Sequence, residues 1–249
     1  VTAATFERTL NSLVQSEPGM VDLVALRDAN ARRWAAARPI RNFASVARAL
    51  VEPNAKQRYK ILAARTGVPW WFIAVVHERE SSQSWKGSLA QGDPWDHVSV
   101  HVPAGRGPFN SWEDAAADAL VNCAPFAARN TDWSIGRALT LLEEYNGLGY
   151  AMRGDPSPYV WSGTDQYKSG KYIRDGVFDP NVIDTQLGCA GLLMAMMAID
   201  KSISLTGTPP PAPKPTPVPA PSVTQPAKGS IGAAIASLIL RILSFFKRK

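Results

Sequence analysis

From residue 1 to about 66, apolar positions recur at helical spacing, so the first quarter of the chain reads as a series of helices. TAATFERTLNSLVQ places Phe6, Leu10, Leu13 and Val14 on one stripe, and MVDLVALRDANARRWAAA does the same with Met20, Val21, Val24, Ala25 and a distal Trp34 before Pro39 ends it. NFASVARALVEP is shorter and stops at Pro53; a fourth helix, roughly residues 55 to 64, closes at Gly67. Pro69 then starts a helix in which residues 71 to 76 are all apolar and run straight into the polar HERE. No turn residue separates the two parts, which favours one helix over a strand.

Between residues 87 and 108 the pattern dissolves into glycines and prolines, a loop-rich stretch with room for a short hairpin near HVSVHVP. Ser111, with Asp114 three positions on, predicts the N-cap of the next helix. Another helix is expected over residues 132 to 144. Residues 145 to 180 hold too many glycines and prolines for regular elements, yet they carry a concentration of aromatic side chains. A last core helix, residues 182 to 200, is apolar through GCAGLLMAMMAI and should be buried nearly all round.

Nine of the twenty prolines lie between residues 209 and 226, where polyproline II geometry makes a semi-rigid spacer. Beyond it, residues 231 to 246 form an apolar run interrupted by Arg241, about 24 Å long as a helix against a hydrocarbon core of roughly 30 Å. An interfacial cationic helix at an anionic membrane surface is therefore expected in preference to a span.

Charge sharpens this division. Lys214, Lys228, Arg241, Lys247, Arg248 and Lys249 follow residue 205 with no acidic residue among them, and they account for the whole +6 excess of 27 basic over 21 acidic groups. The remaining body is neutral, which gives no support to a nucleic-acid partner. The start, VTAATFERTL, lacks the basic region and apolar run of a signal peptide. Cys123 and Cys189 leave one disulfide or two thiols open, with burial in apolar helical text favoured for both.

Glu80, just past the apolar run, would stand at the lip of the core, where partial desolvation raises a carboxyl pKa toward general-acid use. Glu78 faces another direction on the same helix. Asp93 in QGDP is the candidate second carboxylate, since two-carboxylate glycoside hydrolysis places the pair about 5 to 9.5 Å apart; its plainer reading is a turn former. His77, His97 and His101 fall in no H-E-x-x-H pattern, and neither metal nor cofactor is expected. The aromatic stretch offers flat rings for sugar faces, with Asn146 for hydroxyls. Alternatively, it is a long loop that covers the core.

His77-Glu78-Arg79-Glu80, Gly92-Asp93-Pro94, Asn146-Gly147-Leu148-Gly149-Tyr150 and Ser157-Pro158-Tyr159-Val160-Trp161-Ser162 occur in that order. In this the chain resembles phage and bacterial peptidoglycan-degrading proteins of the lysozyme-like superfamily, over roughly residues 55 to 200. The resemblance implies a mainly α, α+β lysozyme-like domain over residues 1–205, with residues 1–54 a helical extension packed on it and a loop-rich or small β-hairpin lobe beside the catalytic helix. Residues 206–229 would be the linker and residues 230–249 an amphipathic tail. It further implies cleavage of the β-1,4 bond between N-acetylmuramic acid and N-acetylglucosamine, with Glu80 as the catalytic glutamate. From the residues themselves, Asp93 is the second catalytic candidate, and His77, Tyr145, Asn146, Tyr150, Tyr159, Trp161 and Tyr167 are the candidate substrate contacts.

Glu80-Ser81 and EEYNGLGY look like lytic-transglycosylase motifs, although Gly-Leu-Met-Gln does not follow Glu80. Muramidase and transglycosylase chemistry both stay open, as does a glycan- or membrane-binding module without turnover. A phage endolysin would pass from host cytoplasm to the periplasm or cell envelope; a virion-associated enzyme is the other expectation.

Overall fold

The computed structural model describes residues 21–174 and 176–205; the expected first helix, the linker and the cationic tail lie outside the described residues. In chain order the elements are α1 (Leu23–Ala36), α2 (Ala44–Leu50), α3 (Pro53–Thr66), α4 (Trp70–Ser81), α5 (Trp112–Asn122), a 3-10 turn (Ala127–Arg129) and α6 (Ile135–Asn146). Then follow α7 (Gly149–Arg153), α8 (Pro158–Trp161), the strands β1 (Lys171–Arg174) and β2 (Val177–Asp179), and α9 (Cys189–Ile199). The architecture is mainly helical, and among the described residues no helix is long and apolar enough to cross a membrane.

Helix α4 is the axis of the core. Every residue from Trp70 to Glu78 is buried, because α2, α3 and α9 pack around a segment that is apolar on all faces. Its neighbour α3 starts two residues earlier than expected: Pro53 occupies the first turn, and the Glu52 carboxylate accepts the free N–H groups of Asn54 and Ala55 at 3.0 and 3.1 Å. Gly67, with φ of 78°, ends α3 in the left-handed conformation that lets the chain turn directly into α4. The expected cap of α5 is present, with Ser111 Oγ accepting the Asp114 N–H at 3.1 Å.

Helix α1 keeps the expected period but turns a different face inward. Val24 is 59% exposed, whereas Leu26, Ala29, Asn30, Arg33 and Trp34 face the protein. Its partner is α6, where Gly136 brings the two backbones together; a Cβ there would lie 2.7 Å from the Arg27 carbonyl oxygen. A polar residue, Asn30, sits at the centre of this contact, so apolar pattern alone gives the wrong phase.

The hairpin also lies elsewhere than expected. Residues 98–102 form no strand: their valines are exposed, and the N–H groups of Val100 and His101 donate to the Asp93 carboxylate. The antiparallel pair is β1–β2, with Tyr172 opposite Phe178, in the stretch whose glycines argue against regular structure. Cross-strand and edge-on contacts among Tyr150, Tyr172 and Phe178 stabilise it despite that composition. Helix α9 begins at Cys189 rather than near residue 182, and only its first half is enclosed; Ile199 is 47% exposed.

Phe43 ties α2 to α9. Its ring fills space left by Gly163 and Gly191, and an alanine Cβ at position 191 would lie 2.1 Å from the ring. Gly191→Ala is therefore expected to destabilise the domain by about 2 kcal/mol in urea unfolding, as overpacking of a dense core does.

Candidate active site

Helix α4 carries its polar end out of the core in a defined way. Ser82 and Gln83 follow it with φ of 49° and 62°, both in the left-handed region that non-glycine residues avoid. Ser82 N–H donates to the Glu78 carbonyl and Gln83 N–H to that of His77, while the Gln83 amide donates to Glu78 Oε2 at 2.8 Å. Gln186, from the segment before α9, donates to the carbonyls of Glu78 and Arg79 at 3.1 and 2.9 Å. The last turn of α4 is thus held from two sides. Glu80 sits in that turn.

Glu80 is partly buried, and Tyr159 Oη–H from α8 donates to its Oε1 at 2.7 Å. No other protein group donates to this carboxylate among the described residues. Burial pushes its pKa up from 4.5 to about 7, against the opposing Tyr159 hydrogen bond and the Arg79 charge. A pKa near 7 leaves a substantial protonated fraction at neutral pH, which is the property a general acid needs. Tyr145 approaches from α6; its phenol donates to the Leu89 carbonyl at 3.0 Å, and burial together with the Glu80 charge holds its proton tightly. Gly92 completes the surroundings: with φ of 74° and no side chain, it lies against the Glu80 carbonyl, where a Cβ would come within 2.6 Å.

Asp93 does not present a free carboxylate. Oδ2 accepts the N–H groups of Val100 and His101 at 2.8 and 2.9 Å, and Oδ1 takes the His101 ring at 2.6 Å. These donors hold its pKa below the usual aspartate value against the opposing effect of desolvation. The carboxylate organises the loop over residues 97–106, as a turn former does.

His77 is likewise placed inside the protein. It is fully buried between Trp85 and Trp112, with Nδ1 accepting from Tyr59 Oη at 2.8 Å and Nε2–H donating to the Ser84 carbonyl at 3.0 Å. Burial lowers its pKa to about 4, so the ring is neutral and joins α3 to the turn after α4. Trp161 is a core residue that donates to Asn30, and Tyr167 is buried with its hydroxyl between Gly170 and Asp184. Tyr150 is 5% exposed and accepts the Tyr172 N–H. Asn146 is exposed at the end of α6.

Of the nine residues singled out in the sequence, Glu80, Tyr145 and Tyr159 come together. Arg79, Asp184 and Gln186 are additional members of the assembly, with no motif to mark the last two. Arg79 lies 4.7 Å from the Tyr159 ring centre and pairs with Asp184 at 3.1 Å.

Both cysteines are buried free thiols. Burial raises the Cys123 pKa to about 11 and that of Cys189 further still, which makes both poor nucleophiles. Among the described residues no three His, Cys, Asp or Glu side chains are grouped to hold a metal ion. A cleft of about 430 Å³ between α1 and α7, lined by Leu26, Ala29, Met152 and Asp155 among others, lies apart from Glu80. No protein-family model matches the chain, and no curated protein or solved structure matches it.

Proposed function

We propose that the chain is a lysozyme-like peptidoglycan glycosidase with Glu80 as its general acid. The observation that carries this reading is the Glu80 carboxyl itself: partly buried, its pKa raised to about 7, and accepting from a single phenol among the described residues at the end of α4. The substrate class rests on the four ordered motifs, two of which supply Glu80 and Tyr159.

Glu80 gives its proton to the bridging oxygen as the bond from that oxygen to the muramoyl C1 breaks. The Glu80 carboxylate then takes a proton from the hydroxyl that attacks C1. Attack by water leaves a reducing end; attack by the muramoyl 6-hydroxyl closes a 1,6-anhydro ring. Asp93 bears on this choice. With its carboxylate spent on three donors, it is poorly suited to activate water or stabilise a glycosyl cation, and the intramolecular route needs only one carboxyl group. That favours the lytic-transglycosylase reading over the muramidase one.

Mass analysis of fragments released from purified sacculi tests both levels of the proposal. Anhydro-muramoyl ends support the second route and reducing ends the first, while absence of soluble fragments contradicts the enzyme and leaves a binding module. Residues 230–249 would keep the enzyme at an anionic lipid surface. Truncation after residue 205 is then expected to abolish binding to anionic vesicles while preserving release from sacculi; equal vesicle binding removes the membrane role.

A further inference from the structure

Behind Glu80 lies a chain of charges that reaches the hairpin. Asp184, 2% exposed, gives each carboxylate oxygen a different cation: Oδ2 takes Arg79 Nη2 at 3.1 Å and Oδ1 takes Lys171 Nζ at 2.8 Å. Its backbone is fixed as well, the N–H donating to Tyr167 Oη at 3.1 Å and the carbonyl accepting from Ser162 Oγ at 2.9 Å. The Arg79 side chain is 6% exposed; Nη1 donates to the Leu187 carbonyl at 3.2 Å, and the guanidinium lies over the Tyr159 ring. Arg79 Nε–H is buried without an acceptor among the described residues. One hydrogen bond is therefore forgone to keep the guanidinium turned toward Asp184, although Glu80 is the next residue along the helix.

An arginine beside a carboxylic acid ordinarily drives it to ionise. The groups facing Glu80 are Arg79 on its own helix, Tyr145 from α6, Tyr159 from α8 and Cys189 from α9, and burial keeps the two phenols and the thiol neutral. Glu78 precedes them on α4 with its carboxylate held by Gln83. Asp184 itself faces Arg79, Lys171 and the phenols of Tyr150 and Tyr167. Arg79 is thus the cation that would strip Glu80 of its proton, and Asp184 is the anion that counters it.

We infer that Asp184 is a positioning residue for the proposed reaction: it holds the Arg79 guanidinium against the Tyr159 ring and neutralises it, so that Glu80 stays in its acid form. This rests on Glu80 being the acid. Asp184→Asn leaves the Arg79 charge uncompensated and moves the alkaline limb of turnover on sacculi to lower pH by about one unit, with KM unchanged. Lys171→Met, at a side chain 38% exposed, removes a cation from Asp184 and moves the limb the opposite way by a smaller amount. Loss of packing alone would lower activity in both variants without shifts of opposite sign.

The experiment is the rate–pH profile of the full chain and of Asp184→Asn, Lys171→Met and Glu80→Gln. Opposite shifts establish the role. Unmoved limbs, with turnover by Glu80→Gln reduced about 10³-fold, overturn the role of Asp184 and leave the acid assignment standing. Undiminished turnover by Glu80→Gln overturns the reading beneath it. Should Asp184→Asn fail to fold, the Lys171→Met limb decides: a rise supports the inference and a fixed limb refutes it.

Discussion

Glu80→Gln is expected to lower turnover on sacculi by about 10³-fold with little change in KM, since general acid catalysis contributes roughly 10² to 10⁴. The amide is nearly isosteric, and its oxygen can still accept the Tyr159 hydrogen bond, so the last turn of α4 keeps its geometry. What it lacks is a proton that can be given to a departing oxygen. Loss in kcat without loss in KM marks a group that acts in the transition state rather than in substrate binding. The variant also removes a carboxyl whose folded-state pKa of about 7 lies above its ordinary 4.5. Such a group favours the folded chain fully below about pH 4.5, and the advantage is gone once the pH has risen past about 7. Glu80→Gln should therefore be more stable than the parent chain at pH 8. Lower activity with higher stability at that pH is the combined signature of a strained catalytic acid.

The second large effect concerns a carboxyl that the proposed reaction does not use. Glu143 on α6 is 1% exposed and its Oε1 has no hydrogen-bond partner among the described residues, while Asn30 and Arg33 from α1 and Trp161 from α8 surround it. Burial raises its pKa from 4.5 to about 7. Between those values the folded chain binds a proton that the unfolded chain releases, so stability falls as the pH rises across this window. For a group this buried, the fall from pH 5 to pH 8 is about 2–3 kcal/mol. Urea unfolding of Glu143→Gln at the two pH values should show that much less pH dependence than the parent chain, because the amide carries no charge at either. Glu80 titrates over the same window and its share remains in the variant. An unchanged difference between pH 5 and pH 8 would mean that Glu143 does not bind a proton in the folded state.

Helix existence was legible where apolar period and caps agree. Pro69, the run from residue 71 to 76 and the Ser111 cap all lead to helices in the right places, because burial and local hydrogen bonding there reinforce each other. The phase of α1 was not legible, since its inward face is organised by Asn30, which bonds Thr140 and accepts from Trp161 across the sequence. Nor was the hairpin: exposed valines at 98, 100 and 102 mimic a strand, and a single carboxylate satisfies the backbone that a partner strand would have served. Glu80 could be singled out because a carboxyl following a long apolar run must sit at a boundary. Asp184 could not, since its role depends on its pairing with Arg79, 105 positions away. His77 and Trp161 show the reverse case, side chains with suggestive chemistry whose polar atoms are used up inside the fold.

In the proposed reaction, a carboxyl with a proton affinity near neutrality cuts the glycan. Its most direct test is the pH dependence of fragment release from purified sacculi by the full chain, run beside Glu80→Gln. Release is expected to fall as the pH rises through about 7 in the parent chain and to be about 10³-fold lower at every pH in the variant. Equal release by both proteins, or a parent profile that stays flat through pH 7, would contradict it.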